Sequence, residues 1–104
     1  MEFKHIGVPT KEKHDNEEYM ADAKLYITKP EDSEHCIEWL RFEDGSPMPE
    51  VLQTTNHIAY KVDDVAEAMK GKECLIEPFE AAPGVMVGFV MDENLPVEYM
   101  SISE

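Results

Sequence analysis

The chain has 104 residues, 42% of them hydrophobic, with 23 acidic against 9 basic side chains and a formal net charge of −14. Its length suits one domain with its own core, and its composition is that of a globular chain. The acidity excludes nucleic acid and anionic membrane as expected partners. It also disfavours highly anionic substrates unless a metal or local Lys and Arg offset the field.

Phe3 to Val8 is predicted as a strand that Pro9 ends. The segment from Lys11 to Lys24 is polar and acidic and reads as a poor helix or a loop. Leu25-Tyr26-Ile27-Thr28 is a short strand-like run, and His35 to Phe42 is the strongest strand signal of the first half, with a short further strand around Val51-Leu52. Between them, Asp44-Gly45-Ser46-Pro47-Met48-Pro49 breaks the chain. In the second half, Asn56 to Val62 is a strand. Asp63 or Asp64 caps a helix running to about Lys70, with Glu67 placed for a capping box and Gly71 as its stop. Cys74 to Phe79 contains Pro78 and so reads as an edge or bulged strand. Val85 to Met91 and Val97 to Ile102 complete the set, with turns at Pro83-Gly84 and Asp92-Glu93-Asn94.

The resulting fold class is α+β, with two βαβββ modules of which the first is truncated at its helix. The modules cover about 1–44 and 55–104, joined by a linker at 45–54. Cys36 and Cys74 lie in apolar runs and are expected as buried free thiols of a reducing compartment. The start of the chain carries no apolar signal region, and no apolar run approaches the roughly 18–20 residues of a membrane span. The cytoplasm is the expected location.

The pair His-Ile opens a strand in each half, at His5 and at His57, and each half continues to a strand with a carboxylate on its apolar side, Glu38 and Glu98. Strand alternation places Glu38 on a face with Cys36, Leu40 and Phe42, and Glu98 with Met100 and Ile102. An ionised carboxylate on such a face needs a compensating cation. For Glu38, Arg41 and Lys29 are the alternatives to a metal. His57 shares its face with Ala59 and Lys61, opposite Ile58, Tyr60 and Val62, which are expected to pack under the helix. Two imidazoles and two carboxylates with open positions suit a catalytic divalent ion such as zinc, nickel, cobalt, manganese or iron(II). His14 and His35 read as solvated.

At these residues the chain resembles the vicinal oxygen chelate superfamily, which includes glyoxalase I, extradiol dioxygenases and bleomycin resistance proteins. The pieces that carry the resemblance are Lys4-His5-Ile6-Gly7-Val8, Cys36-Ile37-Glu38-Trp39, Asn56 to Asp63, Val87 to Asp92 and Pro96-Val97-Glu98-Tyr99-Met100. It covers about residues 56–102 well and 9–34 thinly. The resemblance implies curved mixed sheets forming a metal-binding cup. His5, Glu38, His57 and Glu98 match the four metal-ligand positions of bacterial glyoxalase I-like members. It further implies a lyase or isomerase that acts on a small oxygenated metabolite through a metal-stabilised enediolate, with Glu98, aided by Glu38, moving the proton. Two alternatives share the fold. One is a non-catalytic small-molecule binding or resistance-type protein, suggested by the shortened first module. The other is an iron(II) dioxygenase using His5, His57 and Glu98. A homodimer is expected, with the site either within one chain or shared across two.

Overall fold

The computed structural model describes residues 1–103 and is a mixed sheet of eight strands with few helical residues. The elements in order are β1 (Glu2–Pro9), β2 (Glu18–Met20), β3 (Leu25–Ile27), β4 (Ile37–Phe42), α1 (Glu50–Thr54), β5 (His57–Lys61), α2 (Val65–Met69), β6 (Glu73–Ala82), β7 (Val85–Asp92) and β8 (Leu95–Ile102). Two compact units are present. One is His5–Asn56, and the other is Met1–Lys4 with the chain from His57 onward.

Within the unit His5–Asn56 the strand order is β2-β3-β4-β1. β1 lies parallel to β4, while β3 runs antiparallel to both β4 and β2. Residues 10–17 form no regular element, and the segment expected as a poor helix or loop ends in β2 and a 3-10 turn at Ala21–Ala23. A three-residue exposed strand has little to hold it except its neighbours. Here Tyr19 packs against Tyr26 at 4.7 Å, and the Arg41 guanidinium lies 4.1 Å from the Tyr26 ring centre. Arg41 also donates to both oxygens of Glu17, at 2.8 and 2.7 Å. This fork-to-fork bond is the geometry in which Arg and carboxylate pair best.

The Arg41 bond holds the Glu17 carboxyl well below its usual range, at about 2, aided by the His14 backbone N–H. A carboxyl whose folded pKa is depressed adds stability above its unfolded pKa of 4.5 and loses it as pH falls towards 2. Arg41→Met is therefore expected to lower Tm at pH 7, and the gap to the parent protein should narrow between pH 4.5 and 2. Thermal melts across that range check it, and a gap constant with pH would show that packing on Tyr26 alone holds Arg41.

Three expectations are corrected, one of them reaching into the other unit. The residues Val51-Leu52 lie in α1 and not in a strand. Pro49 starts the helix, the Thr54 hydroxyl donates to the Glu50 carbonyl, and Leu52 is buried, so a strand with no partner loses to one anchored turn. His14 is half-buried and stacks on Trp39 at 5.0 Å, whereas His35 is exposed as expected. Neither cysteine is fully buried. Cys36 is half-buried in a left-handed conformation just before β4, and Cys74 is exposed on β6; both are free thiols.

The other unit runs strand, helix, strand, strand, strand from His57 to Ile102, in the order β5-β8-β7-β6. β5 lies parallel to β8, with β7 antiparallel to β8 and β6 antiparallel to β7. The Asp64 carboxylate caps α2 by accepting from the Glu67 backbone N–H at 3.1 Å, and Gly71 adopts a positive φ just beyond the helix. Val65 and Met69 of α2 join Val90, Val97 and Tyr99 in one core, with Ile58, Tyr60 and Val62 packed against it. Ile58 and Tyr60 of β5, with Val62 just beyond the strand, thus lie under the helix as the alternation predicts. β6, with Pro78, is the end strand and shows register shifts. Glu93 and Asn94 both take positive φ and join β7 to β8 by a two-residue turn.

Candidate metal centre

His5 projects from β1 and Glu38 from β4. In this parallel pair Gly7, two residues past His5, lies opposite Glu38. His5 Nε2 is 3.4 Å from Glu38 Oε1, and the two side chains are 5% and 16% exposed. The cations proposed from sequence as partners of Glu38 are engaged elsewhere, Arg41 with Glu17 and Lys29 with Glu18.

His57 projects from β5 and Glu98 from β8. Here Ala59, two residues past His57, lies opposite Glu98. His57 Nε2 is 3.1 Å from Glu98 Oε1, with side-chain exposures of 4% and 9%. The parallel pairing and the two-residue offset are thus the same in each unit. Val97 and Tyr99, which flank Glu98, point into the helix-side core. Glu98 therefore faces the other side of the sheet, where Phe89 lies directly opposite it across β7. The Phe89 ring meets the His57 imidazole edge-on, at 5.5 Å and 82°.

Phe89 is the neighbour of this site that sequence reasoning missed. Alternation in Val85–Asp92 sets Phe89 apart from Val90, and the two-residue turn at Glu93-Asn94 fixes the β7–β8 register that carries it to Glu98, so the signal that could have found it lies in that turn.

His5, Glu38, His57 and Glu98 could hold a metal ion, since each offers one donor atom and these atoms all lie within 4.8 Å of one another. The donor set suits the borderline divalent ions. Two donors at about 2.1 Å from a common ion lie about 3.0 Å apart at a right angle and about 3.4 Å apart at the tetrahedral angle. The observed 3.1 and 3.4 Å separations are of that size.

No family model matches the chain, and no curated protein matches it. Among solved structures, the chain is similar to a hypothetical protein from Bacillus halodurans C-125, with a TM-score of 0.74 and 21% identity over 99% of this chain and 95% of that one. At that identity the likeness shows the fold. Among the described residues no helix is long and apolar enough to cross a membrane.

Proposed function

We propose that the protein is a metal-dependent lyase or isomerase of the glyoxalase type, acting on a small oxygenated metabolite, with His5, Glu38, His57 and Glu98 as the ligands of one divalent ion. The observation that carries this reading is the repeated geometry. In each unit a histidine on one strand meets a glutamate on its parallel neighbour with the same two-residue offset. Chance placement of acids in an acid-rich chain gives no reason for the same register twice. The matching strand pairings of the two units also support the reading of two modules, the first without its helix.

A divalent ion held by these side chains supplies positive charge beside a substrate oxygen, which makes a neighbouring C–H bond more acidic by several kcal/mol. In this reading Glu98 accepts that proton and returns it to the adjacent carbon. Its burial keeps competing water away, and Phe89 holds the His57 ring at a fixed angle. Glu38, more exposed than Glu98, is the second carboxylate able to carry a proton.

Calorimetric titration with nickel, zinc, cobalt and manganese is expected to find one tight site per set of four ligands. In deuterated buffer the loaded protein is then expected to exchange a proton next to the carbonyl of a bound dicarbonyl or hydroxyketone, read by NMR. A stoichiometric metal with no exchange across a broad panel turns the reading to a non-catalytic binding protein. Oxygen uptake with catechols under ferrous iron turns it to a dioxygenase. Light scattering tests the expected homodimer.

A further inference from the structure

The residues opposite one another across β5, β8, β7 and β6 form rows on the face away from α2. Glu98 and Ala59 share one row. The next row runs Lys61, Met100, Val87, Phe79. Because Ile58, Tyr60 and Val62 pack against the helix-side core, alternation turns Lys61 to the face of His57 and Glu98. Two residues along a strand separate the rows by about 7 Å. A flexible four-carbon side chain can span much of that distance.

Lys61 is also unusual in its partners. Of the half-buried lysines, Lys4 pairs with Glu2 and Lys72 with Asp92. Among the described residues Lys61 has no carboxylate within ion-pair distance, in a chain with 23 acids and 9 bases. A partly desolvated ammonium with no counter-charge is unfavourable unless a ligand supplies one. The rest of its row, Met100, Val87 and Phe79, offers apolar surface.

We infer that Lys61 recognises a carboxylate on the substrate, set off from its metal-directed oxygens by a short apolar spacer that lies along Met100 and Val87. This rests on the metal-centre reading above and narrows its substrate class. One ammonium matches the single charge of a carboxylate. A phosphate brings a second charge into a chain already at −14.

The probes are 2-oxoglutarate and 2-oxohexanoate, which share one end and differ in the presence of a distal carboxylate. Binding is followed by calorimetry on the full chain, both nickel-loaded and in EDTA. The parent protein is expected to prefer 2-oxoglutarate by about tenfold, the size of one charge-assisted hydrogen bond. Lys61→Met is expected to bring the ratio of the two affinities to within about twofold, and Lys61→Arg to keep most of the preference. A preference that survives in Lys61→Met, equal binding by the parent protein, or binding of neither acid overturns the inference. Titration of nickel alone into the parent protein separates the two claims. No nickel site with the preference intact in EDTA removes the metal centre and keeps Lys61, whereas a tight nickel site with no preference does the reverse.

Discussion

Replacing His57 with alanine is expected to weaken zinc or nickel binding by at least about 100-fold. Disturbing residues that merely orient a ligand typically costs 10–100-fold, and His57 is proposed as a ligand itself. His57 and Glu98 are nearly inaccessible to solvent, so water cannot take the vacated position without rearrangement around Phe89. Glu98→Gln makes the same point with less change of shape. It keeps a hydrogen-bonding group beside His57 but removes the charge that holds a dication. The loss should also show in stability. A ligand at about 1,000 times its Kd adds about 4 kcal/mol to the folded state, which for a domain of this size raises Tm by on the order of 15–30 °C. That rise should all but vanish in His57→Ala and Glu98→Gln and return to the metal-free Tm on adding chelator. Glu73→Gln, an exposed acid on β6, serves as the control and should keep it. If the His57 and Glu98 variants take up metal as the parent protein does, ions are binding to surface carboxylates and the proposed centre is wrong.

The elements that build this site were unevenly legible in the sequence. From His57 to Ile102 each strand carries alternation or an apolar run, each turn carries Gly, Pro or Asn, and α2 has its cap in Asp64. Local signals and tertiary structure agree there. The recurrence of His-Ile with a later in-facing glutamate singled out four residues whose donor atoms the fold brings within 4.8 Å of one another. What local pattern does not encode is parallel register. Gly7 pairs with Glu38 and Ala59 with Glu98 across 38 − 7 = 31 and 98 − 59 = 39 residues.

The first unit was harder to read for a related reason. β2 is all exposed and three residues long, and side chains from elsewhere hold it, through Tyr26, Arg41 and Glu43. Its own residues Glu18-Tyr19-Met20 carry no strand pattern. Leu52 shows the converse failure. Two apolar residues in a row fit a strand or a helical turn equally well, and the choice fell to Pro49 and to the Thr54–Glu50 bond.

Gly88→Ala is expected to destabilise the protein by about 1–3 kcal/mol, the usual cost of forcing a methyl group into a packed core. That lowers Tm by roughly 5–20 °C for a domain of this length. Gly88 sits on β7 under α2. A Cβ there would stand 2.5 Å from Met69 Sδ and 3.0 Å from Val65 Cγ1. The methionine can swing aside in part, but the branched Val65 is stiff at χ1, so the helix itself must lift. The cause can be checked by a double-mutant cycle. In a Met69→Ala background, itself less stable by about 2–5 kcal/mol, the same glycine change should cost much less. An unchanged Tm in the single variant would mean that α2 does not seat on Gly88. The same strands also separate stability from metal binding. Val97 and Tyr99 face the helix-side core while Glu98 between them faces away, so lifting α2 strains one surface of β8 and leaves the carboxylate on the other. Below its lowered Tm, Gly88→Ala should therefore bind metal with parent affinity, whereas the nearly isosteric Glu98→Gln should lose metal with little change in metal-free Tm. A common loss in both would show that the helix face and the His57–Glu98 face move as one.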